Sequence, residues 1–157
     1  MNRLYKVCRE FDFEAAHRLY NNYEGPCKTI HGHTYVCTIC VNSRHVNSTG
    51  MVVDFGRLKE FEQTIKKDMD HSLILCNSDP LALKIDSSQP CFISYQKTFV
   101  LPKIYTNTTC ENFCEYIGYS LFDYFNWDSN IESVDIKIYE TRKNSVSCHI
   151  ENMKNHK

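Results

Sequence analysis

The stretch Tyr5-Lys6-Val7-Cys8-Arg9-Glu10-Phe11-Asp12-Phe13-Glu14 places Tyr5, Val7, Phe11 and Phe13 at odd positions, interrupted only by Arg9. Lys6, Glu10, Asp12 and Glu14 hold even ones. A repeat of two is that of a strand with one face buried. A second strand runs from about His31 to Val41, with Tyr35, Cys37, Ile39 and Val41 on one face. The Gly25-Pro26 loop lies between them, so the two read as a hairpin.

Beyond the hairpin, Met51-Val52-Val53 reads as a short strand ending at Asp54, a good N-cap. Phe55, Leu58, Phe61, Ile65 and Met69 then recur every three or four residues, one face of an amphipathic helix. A second helix is expected from Thr109 as N-cap through Phe113, Ile117 and Leu121 to about Phe125, although Gly118 weakens it by about 1 kcal/mol relative to alanine. Two closing strands carry Val134, Ile136, Ile138 and Glu140 on one face of the first, and Val146, Cys148 and Ile150 on one face of the second. Between Cys76 and Asn107 the pattern is weak: Leu81-Ala82-Leu83 suggests a short helix after Pro80, and 91–104 is β-prone but broken by Pro102. The order predicts an α+β fold, an antiparallel four-stranded sheet with two helices packed on one face.

The 157 residues make one domain, 1–157, large enough to bury roughly 70% of the unfolded surface. An apolar content of 42%, aromatic content of 13% and charged content of 24% exclude intrinsic disorder. Eighteen Lys+Arg against 19 Asp+Glu leave a net charge of −1, which argues against a nucleic-acid partner. No run of about 18 apolar residues is present to span a membrane, and the first ten residues lack a signal-peptide core. A cytoplasmic location is expected. Nine scattered cysteines are an odd count without an export signal, so reduced thiols are expected.

His31-Gly32-His33 puts two imidazoles on the same side of an extended strand. His17, just past the end of the first strand, would be the third. Three histidines leave a tetrahedral ion one open position, as in catalytic zinc sites; the plainer reading is surface or loop histidines. Cys27 precedes His31 by four residues, so a cation bound there would lie near its sulfur and favour a thiolate nucleophile or base. Cys27 as a fourth zinc ligand closing a structural site is equally open. Cys37 and Cys40, three apart in a strand, point to opposite faces and do not form a zinc knuckle; Cys110 and Cys114 read as core packing. Asp70-His71 reads either as an acid–base dyad or as a helix end. Glu140 continues an apolar face, which requires a partner such as the N–H pair of a 2-amino-4-oxo pyrimidine ring, unless the strand simply emerges into solvent. Glu111 in the first helical turn suits the macrodipole.

Six stretches occur in order: Phe13-Glu14-Ala15-Ala16-His17, Cys27-x3-His31-Gly32-His33-Thr34-Tyr35, Gly50-Met51-Val52-Val53-Asp54-Phe55, Met69-Asp70-His71, Asn107-Thr108-Thr109-Cys110-Glu111-Asn112 and Tyr139-Glu140-Thr141. Together they resemble the successive motifs of the 6-pyruvoyltetrahydropterin and 6-carboxytetrahydropterin synthase family, from about Phe11 to Thr141. The three-residue gap after Cys27 is similar to the 6-carboxytetrahydropterin synthases of the queuosine and deazapurine pathway. The resemblance implies the tunnelling fold, with sheets joined into a barrel between subunits, a homohexamer built as a dimer of trimers, and sites between subunits. It also implies Zn2+ held by His17, His31 and His33, and Cys27 as general base. Asp70 and His71 of a neighbouring subunit would complete proton transfer. Glu140 would anchor the pterin, with Glu111 and Thr109 lining the pocket. The implied substrate is 7,8-dihydroneopterin triphosphate, converted to 6-carboxy-5,6,7,8-tetrahydropterin, acetaldehyde and triphosphate. Alternatives are a synthase that stops at 6-pyruvoyltetrahydropterin, and a non-catalytic pterin-binding protein with a structural zinc. Arg18 is a candidate cation for the triphosphate. Thr108 departs from the family's usual proline, which would loosen the start of the helix, and Leu75 stands where asparagine is common. The 76–105 segment is longer than in the shortest members.

Overall fold

The computed structural model describes residues 3–84, 97–125 and 130–151. The two period-two stretches form the longest strands, β1 (Tyr5–His17) and β2 (His31–Ser43), joined through a 3-10 turn at Pro26–Lys28. Helix α1 (Phe55–Met69), strand β3 (Ser72–Leu75), helix α2 (Pro80–Lys84) and strand β4 (Thr98–Val100) follow. Helix α3 (Cys110–Tyr124) and strands β5 (Ser133–Tyr139) and β6 (Ser145–Glu151) complete the described residues. The α+β class and two principal helices agree with the sequence, and both helices start on their expected caps: Asp54 accepts from the Gly56 amide and Thr109 from that of Asn112.

The sheet differs from expectation. It has six strands in the order β4-β3-β1-β2-β5-β6 and is mixed rather than four-stranded and antiparallel. Antiparallel ladders join β1 to β2, β2 to β5 and β5 to β6, whereas β3 runs parallel to both β1 and β4. All four residues of β3 are buried, so no alternation marks it, as is usual for short parallel strands covered on both faces. The stretch at Met51-Val52-Val53 is not a strand. Asn47 Oδ1 accepts from the amides of Thr49 and Met51, and the Asn47 amide donates to the Met51 carbonyl at 2.8 Å, so a side-chain-closed turn takes the backbone groups a ladder would need. Of the β-prone 91–104 stretch, Thr98–Val100 forms β4, and residues 91–96 lie outside the described residues.

One face of the central strands carries the core: Phe11 and Phe13 from β1, Tyr35, Cys37, Ile39 and Val41 from β2, and Val134, Ile136 and Ile138 from β5. Helix α1 covers it beside β1 and β3, and α3 covers it beside β5 and β6. Gly118 is where α3 comes closest to the sheet. A Cβ there would overlap the Ile150 side chain and press on Ile136 at 3.4 Å, so the glycine that lowers helix propensity sets the helix–sheet contact.

The other face corrects the expectation of reduced thiols. Cys8 and Cys40 stand directly opposite in the β1–β2 register, with Cα atoms 4.1 Å apart, and are joined by a disulfide. Cys27, Cys37, Cys76, Cys110, Cys114 and Cys148 are free, and Cys91 lies outside the described residues. No helix among the described residues is long and apolar enough to cross a membrane.

Candidate active site

The β1–β2 register aligns His17 with His31 and Ala15 with His33 at one end of the hairpin, on the core-facing side. His17 is therefore the last residue of β1 rather than a loop residue beyond it. Its ring lies 4.7 Å from that of His31 and 5.3 Å from that of His33, and the potential ligand nitrogens of the three all fall within 4.8 Å of one another. Nδ1 of His17 faces the Thr108 carbonyl at 2.8 Å and Nδ1 of His31 faces the Thr29 carbonyl at 2.7 Å. A carbonyl only accepts, so each Nδ1 carries the proton and each Nε2 presents a lone pair.

His17 Nε2 and His33 Nε2 are buried without a hydrogen-bond partner. Glu140 Oε1 stands 3.7 Å from the first and 3.8 Å from the second. The unpartnered nitrogens of His17 and His33 lie in the three-histidine group, an arrangement that could hold a divalent cation. Burial is the main influence lowering the pKa of His17 and of His33, with His31 acting the same way. It outweighs Glu140 at both, and the Thr108 carbonyl at His17. The rings are therefore held in the neutral, metal-binding form. Three imidazoles suit zinc with one position left open.

A cleft of about 200 Å³ opens beside this cluster, lined by His17, Cys27, Thr109, Glu111, Glu140 and Asn144, among others. Cys27 reaches it from the 3-10 turn, where its carbonyl accepts from the Leu19 amide at 2.8 Å. Its sulfur is not part of the three-histidine cluster. The Tyr23 hydroxyl hydrogen-bonds with Cys27, the chief influence raising the pKa of that phenol. Burial pushes the thiols of Cys37, Cys110 and Cys114 up, Cys114 to about 12, so these three pack rather than react. Thr109 and Glu111 belong to the first turn of α3, and Glu140 follows β5 directly, its amide bonded to the Asn144 carbonyl at 3.1 Å.

Asp70 and His71 do form a pair, with His71 Nδ1 3.0 Å from Asp70 Oδ2. Burial opposes the charge on Asp70, but the Glu14 amide and His71 outweigh it and hold its carboxyl below the ordinary range. The pair does not line the Cys27 cleft. His71 borders a second hollow with Glu14, Gly32, His33 and Thr34. His71 also has left-handed backbone, φ 53°, at the position just after the α1 cap that usually belongs to glycine. A non-glycine residue there costs roughly 1 kcal/mol. His71→Gly should therefore leave the melting temperature unchanged or raised. Thermal denaturation checks this, and a destabilised variant would show that the imidazole supports the fold.

Arg18 is not free for a triphosphate. Its guanidinium donates through Nε and Nη2 to both oxygens of the buried Asp79, at 2.8 and 2.6 Å. Thr108 does not loosen the start of α3: its hydroxyl donates to the Arg18 carbonyl at 2.7 Å while its own carbonyl orients His17. Sequence reasoning gave neither that role nor the place of Asn144 in the cleft; only Thr108's position immediately before the α3 cap hinted at the first.

A mixed sheet with helices on one face, and three imidazoles that could hold a metal ion beside a cleft lined by a thiol and two carboxylates, define an α+β protein with a candidate metal site. The chain belongs to the 6-pyruvoyl tetrahydropterin synthase family, whose sequence profile matches residues 6–151. It is 31% identical over 138 residues to the 6-carboxy-5,6,7,8-tetrahydropterin synthase of Rickettsia bellii, covering 87% of this chain and 94% of that one. To the enzyme of the same name from Haemophilus influenzae it is 29% identical over 142 residues, 88% and 94% of the two chains. Its fold is that of Plasmodium falciparum 6-pyruvoyl tetrahydropterin synthase, with a TM-score of 0.75 at 24% identity over 96% and 99% of the chains.

Proposed function

We propose that the protein is a zinc-dependent lyase that converts 7,8-dihydroneopterin triphosphate and water to 6-carboxy-5,6,7,8-tetrahydropterin, acetaldehyde and triphosphate, in the queuosine and deazapurine pathway. The observation that carries the reading is the convergence of three potential ligand nitrogens beside a cleft containing Cys27 and Glu140, in a chain whose relatives bear the carboxy-synthase name. Zn2+ held by His17, His31 and His33 would supply Lewis-acid polarisation of the substrate's side-chain oxygens.

Cys27 would remove a proton from a side-chain carbon, acting as general base at the mouth of the cleft. Glu140 would accept the two N–H groups of the aminopyrimidine edge, with Thr109 and Glu111 beside it. His71, oriented by Asp70, would return a proton. Because His71 borders a different hollow from Cys27 within one chain, the reading takes the dyad from a neighbouring copy in a homohexamer of two trimers. It takes the enzyme as cytoplasmic. Among the described residues six free thiols fit a reducing compartment, and the Cys8–Cys40 bond is at odds with it.

The zinc-loaded protein supplied with 7,8-dihydroneopterin triphosphate should release acetaldehyde in a 1:1 ratio to carboxytetrahydropterin. Triphosphate release with 6-pyruvoyltetrahydropterin and no acetaldehyde would assign the pyruvoyl-forming activity instead.

A further inference from the structure

Among the buried side-chain atoms without a hydrogen-bond partner are the two imidazole nitrogens and the hydroxyl of Tyr35. A metal ion accounts for the nitrogens. It does not account for the phenol, which is fully buried. An unmet buried donor is costly, so its position needs a reason.

The β2–β5 register supplies one. The ladder ends with Val36 against Tyr139, and the next residues of the two chains beyond that pair are Tyr35 and Glu140. The Tyr35 ring is clamped, stacked on Phe13 at 5.0 Å with His33 edge-on at 5.5 Å and Phe113 at 5.6 Å. Glu140 in turn is hydrogen-bonded with the Cys110 thiol, and its Oε1 stands 3.8 Å from Nε2 of His33, whose ring lies edge-on to Tyr35. A carboxylate offers about four lone-pair sites, enough for two ligand N–H groups, one thiol and one phenol.

We propose that Tyr35 is a positioning residue for Glu140: its hydroxyl donates to the carboxylate when a pterin fills the cleft and holds both oxygens toward the ring's N–H pair. The inference rests on the reading of this cleft as a pterin pocket. The donor is unsatisfied in the free protein and satisfied in the complex, so the hydroxyl contributes to affinity and not to folding.

The test uses zinc-loaded protein and neopterin, a pterin that cannot lose triphosphate, titrated calorimetrically. Tyr35→Phe should bind neopterin about tenfold more weakly, with zinc content unchanged and a melting temperature equal to wild type or higher. In turnover its KM should rise with kcat little altered. Glu140→Ala should lose more affinity at unchanged zinc content, and adding Tyr35→Phe to it should cost nothing further. Wild-type affinity in Tyr35→Phe, a lowered melting temperature, or a penalty that persists in the Glu140→Ala background would each overturn the proposal. Unchanged affinity in Glu140→Ala alone would instead remove the pterin anchor, and the proposal with it.

Discussion

Replacing Cys27 by alanine should leave zinc content and pterin affinity within about twofold of wild type while lowering turnover by about 10²–10⁴-fold, the range for loss of a general base. Cys27 is well placed for such a separation. It sits in a 3-10 turn outside the sheet ladders, and the backbone bond from the Leu19 amide to its carbonyl survives truncation of the side chain. Its sulfur stands apart from the three-histidine cluster. His31→Ala is the matching control, because it removes one of three converging nitrogens and should lose the metal. Metal analysis, pterin titration and single-turnover kinetics on both variants decide the matter. Equal zinc loss in the two would make the sulfur a fourth ligand, close the open position, and favour the binding protein with a structural zinc.

The second large effect is on stability. Arg18→Met should cost about 3–5 kcal/mol, since it leaves the Asp79 carboxylate buried without its cation. For a chain of this size that lowers the melting temperature by roughly 10 °C. Asp79 also accepts from the Leu81 amide at 2.8 Å, capping α2, so the combination Arg18→Met with Asp79→Asn should recover part of the loss by removing the charge and retaining an acceptor. Were Arg18 a triphosphate ligand instead, the single variant would raise KM at unchanged stability. Melting curves and KM values on the two proteins separate these roles.

Much of this molecule is legible before folding. The hairpin strands, α1, α3, β5 and β6 are long enough for a period of two or 3.6 to show, and apart from the exposed Tyr5 and Phe55 their apolar faces lie in or against the core. The strands that escape notice are short. Ser72–Leu75 is buried throughout and Thr98–Val100 has three residues, so neither has an alternation to read. Met51-Val52-Val53 misleads for the converse reason: its β propensity is real, but Asn47 has already claimed the neighbouring backbone.

At the candidate site, residue spacing alone determined which side chains could share a face: His31 with His33, and Glu140 with the apolar residues of β5. Register decided the rest. Pairing at fixed offsets sets His17 against His31, Cys8 against Cys40 and Val36 against Tyr139, the neighbours of Tyr35 and Glu140. Contacts across 61 to 91 residues of chain tie Arg18 to Asp79 and turn His17 with the Thr108 carbonyl. Periodicity is a local property that a sequence displays along its length, whereas register and long-range partners follow from how the sheet closes and which polar groups are buried together.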